Sequence, residues 1–137
     1  MIRVTAGVEA HTHEYIATAH EDQKFGFSLA GGSAAAAVSA VLAEPALELL
    51  GLHSHIGSQI FDTAAFEVAA RRTLGLHAQI RDEHGVELPE LGLGGGFGMA
   101  YTTQDDLQPP DELAAEMAAI VGTDCQTIGA SVTRASA

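Results

Sequence analysis

The sequence predicts an α/β protein whose parallel strands alternate with helices. Strand-like and helix-like segments follow one another three times in the order strand, helix, and this alternation is typical of a parallel sheet covered by helices. The apolar run at residues 47–53 shows no inward and outward alternation, which is the pattern of a strand buried on both faces. The histidine and glycine motifs follow predicted strands, so we expect them at the carboxyl ends, where such sheets bind ligands.

The first half of the chain predicts two strands and one helix. Residues 2–8 are rich in β-branched side chains and form the first strand, and the polar residues 9–23 form a loop. Ser33 is the predicted N-cap of a helix that runs to residue 43, because Pro45 prevents its continuation. Residues 47–53 form the second strand.

The second half predicts two helices with a short strand between them. The first helix begins at Asp62 or Thr63 and stops at Gly85. Residues 88–93 form a strand that runs directly into glycines. The second of these two helices begins at Pro109 and Pro110, carries acidic residues in its first turn, and is predicted to end at Gly122. No pattern is evident from residue 123 onward. The helix that stops at Gly85 has a buried face predicted from residues that recur at helical spacing: Phe66, Ala69, Ala70, Thr73, Leu74, His77 and Ile80.

Composition limits the classes of function. A chain of 137 residues, 47% of them hydrophobic, fits one folded domain and excludes a disordered protein. Its 6 basic and 18 acidic residues give a net charge of -12, which argues against nucleic-acid and membrane partners. The single cysteine, Cys125, excludes an intrachain disulfide. No signal-peptide pattern is found, and the apolar stretch at residues 34–43 is shorter than the ~20 residues of a membrane span. A soluble, cytoplasmic protein is expected.

Two features are candidates for phosphate binding. Gly94, Gly95 and Gly96 follow a predicted strand, and successive backbone N–H groups without side chains can form an anion-binding nest. The run satisfies neither the dinucleotide fingerprint nor the Walker loop. Ser58, which follows Gly57, suits a strand-end loop that closes on phosphate. The alternative for both features is an ordinary tight turn.

Paired histidines are candidates for metal binding. His53 and His55 are two residues apart, so in a strand their side chains point the same way, and His11 and His13 repeat the spacing. A metal site needs three or four converging ligands. The alternative is a pair in which one histidine is buried and hydrogen-bonded and the other is exposed or functional.

Lys24 is the only lysine of the chain. A nucleophilic lysine needs burial or neighbouring cations, whereas Lys24 has Glu21 and Asp22 beside it. The predicted role is therefore an ion pair, within the subunit or between subunits.

Four segments, taken together and in order, resemble the diaminopimelate decarboxylase family. They are G-V-E-A-H-T-H-E at residues 7–14, E-D-Q-K-F-G at 21–26, G-L-H-S-H-I-G-S-Q at 51–59 and L-G-G-G at 93–96. The resemblance is strongest to the actinobacterial form and extends from near residue 2 to about residue 125. The linked order of the four motifs is far more specific than any one of them.

The resemblance implies a partial (β/α)8 TIM barrel of the alanine-racemase type, with roughly three βα units, that binds pyridoxal 5'-phosphate. It implies that His55 stacks on the pyridine ring and that Ser58, Gly94, Gly95 and Gly96 hold the phosphate. The implied reaction is decarboxylation of meso-diaminopimelate to L-lysine and CO2, in a homodimer.

The resemblance also implies that residues 1–137 are a fragment of the barrel domain without the C-terminal β domain. No catalytic residue is expected in this chain, because the Schiff-base lysine of the family lies upstream and the acid that pairs with the ring nitrogen lies downstream. By the same resemblance, Lys24 matches an interface lysine rather than the Schiff-base lysine. The fragment alone is expected to be inactive.

Two positions depart from the family, and alternatives to its function stay open. Gly92 stands where the family usually has aspartate, and Ala6 where it usually has proline. Ornithine, arginine and carboxynorspermidine decarboxylases share the barrel, and the 9–26 stretch favours diaminopimelate as substrate. The alternatives of other classes are a non-catalytic phosphate-binding module and a metal-dependent hydrolase that uses the paired histidines: His11, His13, His53 and His55.

Overall fold

The computed structural model describes residues 1–7, 25–57, 63–97 and 109–136. Helices and strands alternate along most of this part of the chain, as predicted. The elements are β1 (Ile2–Thr5), β2 (Phe27–Ser28), α1 (Ser33–Leu42), β3 (Gly51–Ser54), α2 (Ala64–His84), β4 (Glu90–Gly92), α3 (Pro110–Ile128) and β5 (Arg134–Ser136).

The strands of the described residues belong to one parallel sheet in the order β2-β1-β3-β4-β5. The βα units starting at β1, β3 and β4 therefore lie side by side, while β2 pairs with the outer edge of β1. The register aligns Arg3 with His53 and His53 with Gly92. Because aligned residues of parallel strands project to the same face, these three form one row across the sheet, here called the Arg3–His53–Gly92 row.

The helices cover the other face of the sheet. Val4, Leu52 and Leu91 alternate with the members of the row and are at most 1% exposed. One apolar cluster joins β1 and β3 to α1 and α2 through residues such as Val38 and Ile80. Among the described residues, no helix is both long and apolar enough to cross a membrane.

Polar contacts join α2 to α3 along their whole length. Parallel neighbouring helices are expected here, because each follows a strand of the same parallel sheet. The contacts rise in step along both helices: Thr63 Oγ1 donates to Glu116 Oε2 (3.1 Å), Arg71 Nε donates to Asp124 Oδ1 (3.2 Å), and the Arg81 guanidinium donates to the carbonyl of Gly129. These contacts, together with the apolar seam between the helices, hold α2 and α3 in register.

The fold class is confirmed, and several predicted boundaries are corrected in the first half. The second strand spans Gly51–Ser54 rather than residues 47–53; Leu47 and Leu50 are 58% and 39% exposed, so this run is not buried on both faces. The Ser33 N-cap is wrong: Gly32, with φ 75°, occupies that position without a side-chain cap, and the Ser33 hydroxyl donates to the Ser28 carbonyl instead.

In the second half, the stop of α2 at Gly85 is confirmed. Gly85 is left-handed (φ 67°), and its N–H donates to the Arg81 carbonyl. The predicted end of the last helix at Gly122 is wrong, because α3 continues to Ile128 and is closed by the left-handed Gly129. The strands β2 and β5 were not predicted, since each is only two or three residues long and largely exposed.

Candidate functional site

Three loops leave the sheet side by side at the carboxyl ends of β1, β3 and β4. Each contributes one buried apolar residue, Ala6, Ile56 and Leu93 respectively, to a common core beneath the loops. Shared packing of this kind fixes the first residues of the three loops relative to one another. We call this core the loop-base cluster: Ala6, Ile56, Phe66, Ala69, Ala70, Leu74, Leu91, Leu93, Met117 and Val121.

The glycine loop after β4 touches the loop after β3. A Cβ placed on Gly94, which has φ 73°, would lie 2.6 Å from the Ser54 carbonyl oxygen and 2.9 Å from Nδ1 of His55. Only glycine permits both this backbone conformation and this approach. Gly96 is also left-handed, with φ 110°. A Cβ on Gly95, between them, would have nothing within 4 Å, so the backbone of Gly95 faces open space.

The histidines at the end of β3 are neutral near pH 7. Burial, and then the positive charge of Arg3, lower the pKa of His55. The pKa of His53 is lowered by burial first, then by Arg3 and His55. Nδ1 of His53 lies 2.9 Å from the Ser54 carbonyl, so the proton of the neutral ring belongs on Nδ1, and Nε2 is left as an acceptor.

The Arg3–His53–Gly92 row lies on the open face beneath these loops. Arg3 stacks over the Phe25 ring at 5.2 Å. Gly92 brings no side chain, and the space above it borders His53 and the Met1 methyl group, each 3.4 Å from a Cβ at that position. The charged Arg3 side chain thus lies near the imidazoles of His53 and His55. Gly92 stands at a position of the row where a larger residue would fit.

This arrangement fits a phosphorylated aromatic ring. The left-handed glycines around Gly95 supply a side-chain-free backbone suited to an anion, and the absence of a Cβ at Gly94 lets this loop lie against Ser54 and His55. The neutral His55 ring beside the glycines can stack on a pyridine without repelling a protonated ring nitrogen. Among the described residues, no three His, Cys, Asp or Glu side chains converge as a metal site.

The structure brings together some of the predicted site residues and leaves others outside its description. His55 and Gly94, from separate motifs, are in contact, and Gly95 and Gly96 continue the same loop. Ser58 and Lys24 lie outside the described residues, as do two histidines of the proposed metal set, His11 and His13.

Sequence reasoning missed two arginines at this end of the sheet. Arg3 alternates with the apolar Ile2 and Val4 in its strand, and its spacing of two residues from the polar Thr5 was a signal that both share one face. Arg72 of α2 donates from Nη1 to the carbonyls of Ala6 (2.6 Å) and Gly7 (2.7 Å). No local pattern could have revealed that contact, because the partners are 66 and 65 residues away along the chain.

Cys125 does not have the features of an activated nucleophile. Burial, and then the neighbouring Asp124 charge, raise the pKa of the Cys125 thiol, and the backbone of Val132 opposes this weakly. A thiol whose pKa is raised carries less of the reactive thiolate at neutral pH. Cys125 belongs to the packing of α3 and not to the site.

The fold and the loops at its strand ends are typical of a domain that binds a phosphate-ester cofactor at the carboxyl edge of a parallel βα sheet. The chain matches the family described as pyridoxal-dependent decarboxylase, pyridoxal binding domain, over residues 1–133. It therefore belongs to the family of pyridoxal-dependent decarboxylases. The predicted family, and pyridoxal phosphate as its cofactor, are confirmed.

Several curated relatives carry the name diaminopimelate decarboxylase, among them the following two. The one from Mycobacterium leprae is 54% identical over 136 residues, covering 96% of this chain and 29% of its own length. The one from Corynebacterium efficiens is 52% identical over 129 residues, covering 94% of this chain and 28% of its own length. The chain thus spans less than a third of the curated relatives that it matches.

Solved structures agree on the fold. Diaminopimelate decarboxylase from M. jannaschii in complex with L-lysine is 25% identical, with a TM-score of 0.79, over 98% of this chain and 30% of that one. The enzyme from Helicobacter pylori complexed with L-lysine is 23% identical, with a TM-score of 0.76, over 98% of this chain and 32% of that one. The predicted partial barrel is confirmed as the fold of this chain.

Proposed function

We propose that this chain forms part of the cofactor-binding barrel of a decarboxylase that converts meso-diaminopimelate to L-lysine and CO2. The contact between Gly94 and His55 carries the proposal, because it joins a phosphate-type glycine nest to a neutral aromatic ring. The substrate follows from the relatives at 54% and 52% identity, both named diaminopimelate decarboxylase.

The residues of this chain have distinct roles in the proposed site. The backbone N–H groups of residues 94–96, together with Ser58, bind the phosphate of pyridoxal phosphate. His55 stacks on the pyridine ring. When bound, the cofactor supplies an electron sink for the bond to the departing carboxylate. The chain's own contribution is to bind the cofactor and to hold the orientation of its ring.

Burial around His55 also supports cofactor binding, because it keeps the imidazole neutral. An imidazole that stays neutral adds no positive charge to the cofactor ring, whereas an imidazolium would disfavour a protonated ring nitrogen. Arg3 and burial both lower the pKa of His55, so the stacked ring remains neutral under physiological conditions. Arg3 thus acts on His55 through its charge.

The full-length protein is proposed to be a cytoplasmic homodimer with Lys24 at the subunit interface. The net charge of -12 supports a protein that stays off anionic membranes and nucleic acid. The assignment of Lys24 rests on the resemblance of residues 21–26 to the family.

The first test is binding of pyridoxine 5'-phosphate to the 137-residue chain by titration calorimetry. This probe has no aldehyde, so it cannot form an imine with Lys24 or with the amino terminus. We expect saturable binding that weakens by at least about tenfold, or about 1.4 kcal/mol, in Gly95→Leu. The reason is that a Cβ at Gly95 has nothing within 4 Å, so the leucine side chain starts in open space and is expected to fill the nest.

Gly75→Leu is the matched control. Gly75 lies on the exposed side of α2 and also has nothing within 4 Å of a Cβ, so the variant should bind like the parent. A folded parent chain that fails to bind the probe, or a Gly95→Leu variant that binds equally well, contradicts the proposed site.

A second test locates the cofactor's covalent anchor. Pyridoxal phosphate is added, trapped with borohydride and read by peptide mass, beside a Lys24→Arg variant. We expect no stoichiometric adduct on Lys24, because the family's anchoring lysine is not among the matched motifs. A stoichiometric adduct on Lys24 that disappears in Lys24→Arg would contradict the proposed interface role.

A further inference from the structure

The glycine loop ends in an aromatic stack. Phe97 follows Gly96 directly, and its ring lies 4.5 Å from that of Phe66, with 23° between the ring planes. Phe66 is in the first turn of α2 and is 0% exposed. Stacked rings of this geometry attract each other beyond the effect of the apolar area that they bury.

Phe97 is held from a second side by α3. It packs against the loop-base cluster, and it lines an apolar cleft together with Leu113, Met117 and Val121 of α3. Phe97 is thus placed between two helices although it belongs to neither. Its position determines where the backbone of Gly96 emerges.

The other end of the glycine loop is held by the sheet. Leu93 is 1% exposed, and its N–H donates to the Ser136 carbonyl at 2.7 Å. Between Leu93 and Phe97 stand only glycines, which have no side chains to restrain them. Ordering a free backbone costs conformational entropy at every residue, so two anchored ends reduce that cost when the loop binds an anion.

We propose that the stack of Phe97 on Phe66 positions the glycine loop for phosphate binding. The inference rests on the proposed function, because it assumes that the loop takes the phosphate of the cofactor. Phe97 is a positioning residue: it acts through the backbone of residues 94–96 and does not contact the phosphate. The stack therefore strengthens the binding of phosphorylated ligands and leaves unchanged what the pyridine ring of the ligand contributes to binding.

A purely structural role of Phe97 predicts something different. Phe97 as ordinary core would affect stability, and its loss would weaken all ligands alike. The distinguishing quantity is the ratio of the dissociation constant of pyridoxine to that of pyridoxine 5'-phosphate. This phosphate ratio reports only what the phosphate adds to binding.

The experiment measures the phosphate ratio by calorimetry for the 137-residue chain and its variants, each checked for folding by circular dichroism. We expect Phe97→Ala to lower the ratio about tenfold and Phe97→Tyr, which keeps the ring, to retain the parent value. Met117→Ala is the matched control, because Met117 belongs to the same cluster and lines the same cleft but is not attached to the loop. It should lower stability without lowering the ratio.

Each result has a defined reading. A parent chain with no preference for the phosphorylated ligand refutes the proposed phosphate site itself. A parent that shows the preference, with an unchanged ratio in folded Phe97→Ala, overturns the role of the stack alone. If Phe97→Ala does not fold, Phe97→Leu and Phe66→Leu decide, since both keep an apolar side chain and remove the stack. An unchanged ratio in these two variants also overturns the inference.

Discussion

Gly92 lies directly opposite His53 in the β3–β4 ladder, and a Cβ on Gly92 would be 3.4 Å from the Cβ of His53. A side chain at this position therefore meets the imidazole at ordinary contact distance. Arg3, the other neighbour of His53 in the row, lowers the pKa of His53. The row lacks a carboxylate that could oppose that effect.

We predict that Gly92→Asp raises the pKa of His53. A carboxylate beside the ring favours the imidazolium, opposite in sign to burial and to Arg3. The pKa is measured by NMR titration of the histidine ring protons. Gly92→Asn, which has the same shape without the charge, should leave the titration close to that of the parent. An aspartate variant that titrates like the asparagine variant would disprove the interaction.

A second prediction concerns His77, which makes the folded chain sensitive to acid. His77 is 3% exposed, and neither ring nitrogen makes a well-formed hydrogen bond among the described residues. Burial lowers its pKa from 6.5 to about 4, with a weaker opposing effect from the backbone of Leu88. The unfolded chain therefore takes up a proton near pH 6.5, while the folded chain resists it until about pH 4. Stability falls as the pH drops through this window, by about 3 kcal/mol in all.

Urea denaturation between pH 8 and pH 4 checks this prediction. The His77→Leu variant should lose less stability over that range than the parent, because it has no buried imidazole to protonate. His84→Leu is the control: His84 is exposed at the end of α2, with Nε2 lying 3.2 Å from the Ser39 hydroxyl. If both variants keep the full acid dependence of the parent, His77 is not its source.

Arg72 is predicted to hold the end of β1. Its Nη1 group donates to the carbonyls of Ala6 and Gly7, where the chain turns at the left-handed Gly7. Arg72→Met removes both bonds and should lower the free energy of unfolding by about 1–2 kcal/mol, near or below the lower end of the range for bonds from a charged donor, because the contact is partly exposed. Urea denaturation measures the loss.

Arg134→Met serves as the comparison for Arg72. Arg134 is 77% exposed and pairs with Glu90 at 3.4 Å, so its loss should cost less than about 0.5 kcal/mol. Equal losses in the two variants would mean that the carbonyl contacts of Arg72 contribute nothing specific.

The ion pair between α2 and α3 gives a fourth prediction. The Asp124 side chain is 4% exposed. Its Oδ1 accepts from Arg71, and its Oδ2 has no partner among the described residues. Removing Arg71 leaves this buried carboxylate unpaired, so Arg71→Leu should lower the urea midpoint. The double variant Arg71→Leu/Asp124→Leu should recover most of that loss, because it removes the unpaired charge as well.

Glu67→Gln controls for the exposed half of the same network. The Glu67 carboxylate pairs with Arg71 at 2.6 Å, and both side chains are about half exposed. Water screens such a pair, so the midpoint should hardly change. A double variant no more stable than Arg71→Leu alone would argue that the carboxylate was not the cause.

The parts of the fold that could be predicted depend on local chemistry. Helix α2 was found because its apolar positions repeat at helical spacing and Gly85 stops it. The family and the cofactor loop were found because short motifs keep their order along the chain. The prediction ended helix α3 too early, at Gly122, because a glycine inside a helix costs about 1 kcal/mol. Packing of Val121 and Asp124 against the rest of the protein outweighs a cost of that size.

The sequence by itself determined the βα order, the family and the residues of the glycine loop, because periodicity, turn residues and linked motifs are encoded among near neighbours. Only the tertiary structure decided that Gly94 touches His55, that Arg3, His53 and Gly92 share one row, and that Phe97 stacks on Phe66. These relationships depend on strand register and on the packing of helices against the sheet. Both are set by contacts between residues far apart in the chain, and no local pattern records them.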